Sequence, residues 1–477
     1  MFFQKTPRIA KSSSVQLLEI KSKPYYIVAS VEVGNTTTKC ILIATNMNTG
    51  KSSIVSKSVR MTRDVRKPKK GEIIFGKTLS GVELTRESIT ELVKNTLLST
   101  IKKANLDIEK DVHFVVRSTG VVAGFKSPEE VGEFIKALAE GCLSANIPPK
   151  KMTPPMSIES IPKMFQKYSL LDKVIFDGAV ASVLPPIGGT GVEIVANEME
   201  GELTTAGIKE GAKWTDIDYR NPCVSLDFGT TLDGRITNSD APYAKTIGNF
   251  CGYAGAIPDA IIKGTDRVDK ITGTAIDVFN NKKISSFTIM LKQQKIKEYA
   301  ERILKFIIIE KVPENRTVYG SVPVNPMAAK DISVCLIGCD VGINGSDLTK
   351  LSEIGAEMDT KHGIGFIFAV IDEVMSQVIY RLIAVAKEEK LLSPDIVIGI
   401  TGRAGLNGNK PTLVLKYLDK LNIHKKIEEH VVFVDDGLAR GSAVMARCMN
   451  SLGTTFNPLG GNRGAKCILG ARIKLQK

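Results

Sequence analysis

Two short motifs of similar sequence constrain the fold of this chain more than any other feature. The first, "VEVGNTTTKC", runs from Val31 to Cys40, and the second, "SLDFGTTLDG", runs from Ser225 to Gly234. Each motif lies between strand-like apolar runs, a pattern that predicts a β-hairpin whose turn carries polar residues. An acid aligns with an acid and a glycine with a glycine, namely Glu32 with Asp227 and Gly34 with Gly229. Two such hairpins, far apart in the chain, predict two similar lobes.

The residue types in these turns suit an anionic ligand. Glycine lets the backbone approach a ligand closely, and neighbouring N–H groups and hydroxyls can converge on one anion such as phosphate. A single turn of this kind is also compatible with an ordinary hairpin, but two in matching register favour a shared phosphate site. The candidate phosphate-binding residues are Gly34, Asn35, Thr36, Thr37, Thr38 and Lys39 in the first turn and Gly229, Thr230 and Thr231 in the second. Of these, Lys39 is also compatible with a surface lysine at the end of a hairpin.

An acid stands two residues before the glycine of each turn, Glu32 in the first and Asp227 in the second. A carboxylate at the end of a strand can hold Mg²⁺, usually through water, because magnesium gives up its hydration shell reluctantly. The sequence contains neither a G-x-x-x-x-G-K-[ST] loop nor a G-x-G-x-x-G motif, so a Walker loop or a dinucleotide fold has no support. Each hairpin therefore predicts a phosphate cradle beside a metal anchor.

The two hairpins resemble the phosphate-1 and phosphate-2 motifs of the acetate and sugar kinase, heat-shock chaperone and actin superfamily. The adenosine motif of that superfamily resembles "IVIGITGRAG", Ile396 to Gly405, and its closing helix resembles the segment from Val431 to Met449. The resemblance implies an α/β fold in which two ribonuclease-H-like, actin-like ATPase lobes surround a central cleft. It also implies that ATP and Mg²⁺ bind in that cleft, with three further nucleotide-binding residues, Gly402, Arg403 and Ala404.

The chain has 477 residues, enough for two or three domains. We expect residues 1–23 to form a flexible basic N-terminal arm. Residues 24–222 are expected to form the first lobe, with the phosphate-1 motif and inserted segments. Residues 223–477 are expected to form the second lobe, with the phosphate-2 and adenosine motifs and the closing helix. Small side chains at Gly441, Ser442 and Ala443 predict that this helix packs closely against its neighbour.

Further segments narrow the resemblance. "VRMTRDVR", "FGKTLSGVELTRE", "FVVRSTGVVAGFKSPEEVGEFI" and "VIFDGAVASVLPPIGGTGVEIVANEMEGEL", with the two phosphate motifs, resemble methanogenesis marker protein 14, a family of methane-producing archaea. The similarity runs from about residue 25 to the C-terminus. Relatives of that family in architecture include reactivating chaperones of cobalamin-dependent enzymes and ATP-dependent activators of iron–sulfur enzymes. The resemblance therefore implies a setting, methanogenesis, and leaves the reaction open.

The catalytic candidates are two acids of one segment. In the superfamily a carboxylate between the phosphate motifs often orients the attacking water, and Glu198 and Glu202 occupy that part of the chain. Both acids are also compatible with surface charge. The first metal acid is Glu32, where most members of the superfamily have aspartate. Its extra methylene displaces the carboxylate, and this departure weakens the expectation that ATP is hydrolysed.

Three functions remain open at this stage. We expect an ATP-dependent chaperone, reactivase or activator whose partner is a methanogenesis enzyme or its activation components. One alternative is an assembly protein that binds nucleotide without hydrolysing it. The other is a small-molecule kinase on the same scaffold, although the sequence shows no paired polar signature for its substrate.

Composition excludes several other classes. No apolar stretch reaches the roughly 18 residues of a membrane span, which predicts a cytoplasmic protein. The eight cysteines and four histidines form no zinc motif, and an iron–sulfur cluster at Cys251 is disfavoured because a cluster needs four ligands.

The segment Lys51 to Lys70 carries eight cations and one acid. It could attract an acidic partner or an anionic cofactor, or be a solvated loop; nucleic acid is disfavoured because no recognised motif accompanies the charge.

Overall fold

The structure is a computed structural model that describes residues 5–10, 20, 25–46, 48–119, 128–152, 198–238, 244–279 and 286–452. The strands are β1 Arg8–Ala10, β2 Tyr25–Val33, β3 Thr37–Asn46, β4 Ser52–Met61, β5 Ile74–Lys77, β6 Glu83–Thr85, β7 Phe114–Thr119, β8 Cys223–Phe228, β9 Leu232–Thr237, β10 Thr246–Gly252, β11 Ile307–Lys311, β12 Val318–Tyr319, β13 Val322–Pro323, β14 Cys335–Val341, β15 Val397–Thr401 and β16 Val431–Val434. The α-helices are α1 Arg86–Lys103, α2 Pro128–Ser144, α3 Glu198–Ala212, α4 Ala256–Lys263, α5 Ala275–Val278, α6 Ser286–Leu304, α7 Pro326–Asp331, α8 Leu348–His362, α9 Ile364–Glu388, α10 Arg403–Leu406, α11 Lys410–Leu418 and α12 Gly437–Leu452.

The first sheet has the order β4-β3-β2-β7. Strand β3 runs antiparallel to β2 and β4, whereas β7 runs parallel to β2. Strand β2 is almost continuously apolar because both of its faces are covered. Ala29 and Val31 pack in the core with α1 and α2, while Tyr26 and Val28 pack on the opposite face with α12. Both predicted strands of the first hairpin are confirmed.

The second sheet repeats this pattern and extends it. Its order is β1-β16-β15-β8-β9-β10-β14-β11. Within it, β9 is antiparallel to β8 and β10, and β15 is parallel to both β8 and β16. The four strands β10-β9-β8-β15 therefore match β4-β3-β2-β7 in order and direction. This arrangement, in which the second strand is antiparallel to the others, is the ribonuclease-H-like topology of actin-like ATPase lobes, and the predicted fold class is confirmed.

Helices α3 and α12 join the two halves by packing on each other's sheets. The apolar side of α3, with Ile208 and Ala212, packs against the second sheet, whereas Ala439 and Ala443 of α12 pack against the first sheet. The two helices also touch each other so closely that glycine is required. A Cβ atom at Gly207 would lie 1.7 Å from the carbonyl oxygen of Gly437. The small-residue face predicted for the closing helix is present at this crossing.

Two of the expected domain boundaries need correction. Residues 198–212 fall in the expected first lobe, but as α3 they pack on the second sheet because its open face offers the apolar surface that α3 must bury. Arg8–Ala10 fall in the expected flexible arm, but they form β1, which pairs in parallel with β16 at the edge of the second sheet. The rest of the expected arm lies outside the described residues, except for residues 5–7 and 20. In the part of the chain that the structure describes, no helix combines the length and apolarity needed to cross a membrane.

Candidate functional site

The first polar turn joins β2 to β3 and is held by hydrogen bonds on both sides. The amide of Gly34 donates to the carbonyl of Thr37 at 3.0 Å, which closes the turn. Thr62 supports it from the end of β4, because its hydroxyl donates to the carbonyl of Gly34 at 2.7 Å. On the other side, the side-chain oxygen of Asn35 accepts from the amide of Leu79 at 3.0 Å. The turn is therefore fixed in shape without any ligand.

The second polar turn joins β8 to β9 and is supported by the start of α4. The amide of Gly255 donates to the carbonyl of Gly229 at 2.8 Å, and the amide of Ala256 donates to the carbonyl of Thr230 at 3.1 Å. A Cβ atom at Gly255 would lie 2.5 Å from the carbonyl oxygen of Gly229, so only glycine permits this approach. The carbonyls of the second turn therefore accept hydrogen bonds from the start of α4.

The two turns meet across a cleft. The hydroxyl oxygens of Thr36 and Thr230 lie 2.8 Å apart and share a hydrogen bond. Both turns line one cavity between the sheets, with about 1190 Å³ of space that includes its solvent-open mouth. A ligand bound in this cavity would therefore contact both turns. The pairing of the two motifs, inferred from sequence, corresponds to physical contact.

A buried lysine is the cation of this cavity's polar end. Lys39 pairs with Glu32 at 3.0 Å and lies 3.7 Å from Asp436. Burial disfavours its charged form, but the attraction of these carboxylates outweighs burial and raises the pKa of Lys39. Lys57 binds Asp436 at 2.5 Å, and although burial opposes the charged carboxylate, Lys39 and Lys57 together lower its pKa. Lys39 is therefore a buried cation on the acidic side of the cavity and not a surface lysine.

Three further buried acids lie beside Lys39. Asp227 and Asp233 are directly opposite each other on β8 and β9, and Glu200 of α3 hydrogen-bonds to Asp233. Burial raises the pKa of Asp227 to about 7 and raises the pKa values of Glu200 and Asp233 well above their ordinary range. Asp233 Oδ1 has no hydrogen-bond partner among the described residues. The polar end thus holds more acidic side chains than lysines, and burial keeps three of these acids from ionising in their ordinary pH range.

The acids of α3 differ in where they lie relative to the cavity. Glu202 does not line the cavity; it is buried and pairs with Arg235 at 3.1 Å. The backbone of Glu198 begins α3, and its side chain lies outside the described part of the chain. Glu200 lines the cavity instead. Residues two apart on a helix point in nearly opposite directions, so the face that turns Glu202 toward Arg235 turns Glu200 toward the cleft.

The adenosine motif forms a third wall of the cavity. Gly402 ends β15 with φ of +83°, a conformation that favours glycine. A Cβ atom there would lie 2.4 Å from Asp227 Oδ1 and 2.4 Å from the carbonyl oxygen of Phe228. The end of β15 therefore packs directly against the second turn. Arg403 and Ala404 then line the cavity at the start of α10.

Apolar side chains also line the cavity. They are Pro258, Ile276, Ala404, Phe279 and Phe368, and the rings of the two phenylalanines pack edge to face at 5.4 Å between centroids. Asp259 lines the cavity as well; its side chain accepts from the amide of Ala275 at 2.7 Å, and burial raises the pKa of Asp259 to about 7. A ligand that carries both highly charged and flat apolar groups would match this lining.

Most residues expected to bind nucleotide or metal line this one cavity. The exception is Thr38, which is buried between the first sheet and Thr62, 3.0 Å from the Thr62 hydroxyl. Its side chain points away because successive residues of a strand face opposite sides. Sequence reasoning gave no role to Glu200, Asp233, Asp259, Lys410 or Asp436, which also line the cavity. Of these residues, Asp233 could have been found from the sequence, because it follows the second turn at the position that pairs with Asp227 in the hairpin.

A second cavity adjoins the first. It shares Asn35, Thr36, Thr230 and Asp259 with the first cavity and has about 1280 Å³ of space, including open solvent. Its other walls carry hydroxyl groups and three cations, namely Ser80, Tyr253, Thr272, Thr274, Ser321, Thr349, Ser352, Arg63, Lys263 and Lys270. The Thr36–Thr230 contact therefore stands at the boundary between two polar spaces.

Cys251 lies inside the second lobe. It belongs to β10, is fully buried and packs in a small core with Tyr319 and Leu336. Burial raises the pKa of its thiol, which favours the protonated form. Within the described ranges, no group of three or more His, Cys, Asp or Glu residues is arranged to hold a metal ion by itself.

The strand order of both sheets and the turns that meet between them define a protein with the actin-like ATPase fold. The chain belongs to the family described as "Uncharacterized protein conserved in archaea (DUF2114)", which matches residues 25–476. It is 60% identical over 477 residues to an uncharacterized protein of Methanocaldococcus jannaschii, covering 100% of this chain and 96% of that protein. It is 53% identical over 491 residues to an uncharacterized protein of Methanothermobacter thermautotrophicus, covering 99% and 90%.

Solved structures show a distant likeness. A reductive activator for a corrinoid, iron–sulfur protein has a TM-score of 0.35 at 12% identity, over 88% of this chain and 60% of the activator. The ethanolamine utilization protein EutJ from Carboxydothermus hydrogenoformans has a TM-score of 0.35 at 10% identity, covering 89% of each chain. A hexokinase has a TM-score of 0.34 at 10% identity, covering 94% and 88%. The fold assignment rests on the strand order, since these scores are low.

Proposed function

We propose that the chain binds ATP with Mg²⁺ in the cavity between its lobes. The observation that carries this proposal is the meeting of the two glycine turns, Thr36 against Thr230, beside a group of buried acids in a cavity that apolar side chains also line. Phosphates would lie at the turns, and the base would lie near Phe279 and Phe368. Arg403, which lines the same cavity, would contact the nucleoside.

The residues at the polar end fit a metal–phosphate ligand. Asp227 and Glu32 would hold the hydrated Mg²⁺, and the unpartnered Asp233 Oδ1 shows that the acids have capacity for a further partner. A bound Mg²⁺ would neutralise charge on the phosphates and on these acids. Lys39 would stabilise phosphate charge from the first turn, and the turn amides and threonine hydroxyls would orient the same group.

In this proposal Glu200 is the acid that would act on water. It faces the cavity, and its carboxyl is hydrogen-bonded to Asp233. Burial raises the pKa of Glu200, and positive charge bound beside it would lower that pKa again and favour the carboxylate. Ligand binding would therefore convert Glu200 into the base that orients an attacking water.

Calorimetry with ATP and Mg²⁺ tests the proposed site. The informative variant is Asp227→Asn, which keeps the shape of the buried side chain and removes its charge. We expect at least about a tenfold loss of affinity relative to the unchanged chain, because a metal anchor and its charge are lost. Asp266→Asn is the matched control, because Asp266 is fully exposed and outside the cavity. Equal affinity of the unchanged chain and Asp227→Asn would refute the site.

The biological setting we propose is that of a methanogenesis marker protein 14, an ATP-dependent chaperone or activator of a methanogenesis enzyme. Sequence resemblance supports it, as do relatives from Methanocaldococcus and Methanothermobacter. In this role, closure of the lobes on ATP would change the surface offered to the partner. An ATPase rate that rises when the purified partner enzyme is added would support the proposal, and an unchanged rate with every methanogenesis enzyme tested would oppose it.

A small-molecule kinase is the second candidate, favoured by one observation. The second cavity adjoins the expected position of the terminal phosphate and is lined by hydroxyls and cations, as an acceptor site would be. Substrate-dependent consumption of ATP, with a phosphorylated small molecule as product, would identify this activity. Consumption of ATP that depends on a protein partner alone would identify the activator.

A further inference from the structure

A basic loop, residues 62–79, is attached at both ends to the first glycine turn. At its start, the amide of Thr62 donates to the carbonyl of Thr36 at 2.9 Å, and the hydroxyl of Thr62 donates to the carbonyl of Gly34 at 2.7 Å. At its end, the amide of Leu79 donates to the side chain of Asn35 at 3.0 Å. A force applied to this loop is therefore transmitted to the turn that lines the cavity.

The same loop also reaches the second lobe. The guanidinium of Arg63 binds both carboxylate oxygens of Asp277, at 2.7 and 2.6 Å, and donates to the carbonyl of Thr272 at 2.8 Å. Such bidentate pairs are directional, so they fix the loop relative to α5. The loop thus contacts both sides of the cleft.

An internal ion-pair network gives the loop a fixed shape. Arg66 binds both carboxylate oxygens of Glu72, at 2.8 and 2.6 Å, and pairs with Glu91 of α1 at 3.0 Å. The amide of Lys69 donates to Glu72 at 3.0 Å, and the hydroxyl of Thr85 does so at 3.1 Å. The hydrogen bonds from Arg66 come first among the contacts that lower the pKa of Glu72 to about 2. The loop is ordered before any partner arrives, which reduces the entropic cost of binding.

The tip of the loop exposes cations beside an apolar side chain. Lys67, Lys69 and Lys70 are exposed and have no acidic partner within the described residues. Ile73 is 80% exposed and Ile74 is 43% exposed. The other cations of the loop are paired with acids, Arg63 and Arg66 as described above and Lys77 with Glu83 at 3.0 Å. These three lysines and two isoleucines therefore form the free surface. Its positive charge with an apolar centre calls for a partner that is acidic around an apolar contact.

We propose that this tip is a docking surface for an acidic segment of a partner protein that carries an apolar side chain. A protein fits better than a nucleic acid, because the only aromatic residue of the loop, Phe75, is buried and cannot stack on a base. The loop's hydrogen bonds to the first glycine turn would couple docking to the nucleotide. This coupling rests on the proposed function, whereas the docking itself does not.

The test uses a defined probe and the full chain without nucleotide. The probe is a fluorescent synthetic peptide of about a dozen residues, rich in glutamate and containing two leucines. The comparison ligands are the same peptide with glutamine in place of glutamate and a single-stranded oligonucleotide of equal charge. Binding is followed by fluorescence anisotropy at low and at physiological ionic strength. The variants are the triple reversal Lys67→Glu, Lys69→Glu and Lys70→Glu, and the single change Ile73→Ser.

We expect the acidic peptide to bind, to bind more weakly at higher ionic strength, and to lose about tenfold or more in affinity with the triple reversal. Ile73→Ser should weaken it several-fold without changing the salt dependence. The matched control reverses Lys295, Lys305 and Lys416, which are exposed lysines of the second lobe, and should leave binding unchanged. The proposal is overturned if the glutamine peptide binds equally well, if the oligonucleotide binds more tightly than the peptide, or if the control reversal has the same effect.

A second titration separates docking from nucleotide binding. With the acidic peptide bound, the affinity for ATP and Mg²⁺ should change at least several-fold, since the peptide holds the loop that supports the first turn. Peptide binding without any change in ATP affinity would remove the coupling and keep the docking surface. Failure to bind ATP at all would remove the proposed function and leave the peptide result intact.

Discussion

Individual acids in the cleft are buried in surroundings that disfavour their charged form. Glu200, Asp227 and Asp233 are buried, and burial raises the pKa of each one. For an acid, this means that the folded protein holds a proton that the unfolded chain has already released. The three side chains therefore reduce stability at neutral pH, a cost that natural proteins accept where a site must bind a ligand.

The pH dependence of stability tests this view at Asp227. Its pKa rises from 3.8 to about 7 on folding, so its contribution to the free energy of unfolding falls as pH rises from about 4 to about 7 and is level above that. Asp227→Asn has no such proton. We expect the stability of this variant, relative to the unchanged chain, to be greater at pH 8 than at pH 5 in urea unfolding. Asp266→Asn should show the same difference at both values, and a pH-independent difference for Asp227→Asn would contradict the assignment of its pKa.

The sequence allowed some of these residues to be found and hid others for a geometric reason. Glu32, Asp227 and the threonines could be predicted because each lies at a fixed distance from a turn glycine. The choice among Glu198, Glu200 and Glu202 depends on which face of α3 meets the cleft, and that face is set by packing of α3 on the second sheet. The partner of Glu202, Arg235, lies on a different element, so no local pattern indicates their pairing.

At the scale of elements, the crossing of α3 and α12 holds the two halves together. Gly207 of α3 faces Gly437 and Gly441 of α12 at backbone contact distance, and a Cβ atom at Gly441 would lie 1.7 Å from the carbonyl oxygen of Leu203. Such close contact between helix backbones gains dispersion energy but tolerates no added atoms.

Gly207→Ala should therefore destabilise the protein. The added methyl group would collide with the Gly437 carbonyl, and overpacking of this kind costs about 1–3 kcal/mol in the free energy of unfolding. Gly132→Ala is the matched control. Gly132 also lies within a helix, α2, and a Cβ atom there would meet nothing within 4 Å, so the change should stabilise by about 0.5–1 kcal/mol. Denaturant unfolding of both variants measures the difference, and a neutral Gly207→Ala would mean that the helices are not in contact.

The strands of the two polar hairpins could be predicted because apolar runs on both sides of a Gly/Thr turn allow few other structures. The packing of α3 on the second sheet and of α12 on the first sheet could not be predicted. Each helix is apolar enough to pack on either sheet, so only the complete fold determines which sheet it covers. The strand Arg8–Ala10 also escaped prediction. It is short, and its pairing with β16 depends on a partner at the other end of the chain.

At the scale of the molecule, three kinds of contact among the described residues connect the lobes near the cavity, in addition to hydrogen bonds from Lys213 and Trp214 to the β3–β4 connection and the start of β4. The three kinds are the helix crossing, the Thr36–Thr230 hydrogen bond, and ion pairs such as Arg63–Asp277 and Lys57–Asp436. The helix crossing is made of closely packed backbone, whereas the other two kinds of contact are polar. Polar contacts exchange with water or ligand more readily than packed backbones do. The lobes can therefore respond to a ligand at the cleft while remaining joined at the crossing.

The most direct measurement of the central claim is a crystal structure of the full chain with a non-hydrolysable ATP analogue and Mg²⁺. We expect the analogue's phosphates between the turns of Gly34 and Gly229, the metal beside Asp227, and the base near Phe279 and Phe368. An analogue bound anywhere else, or a cleft closed by side chains in crystals soaked at saturating analogue, would contradict the claim that the two turns hold one nucleotide.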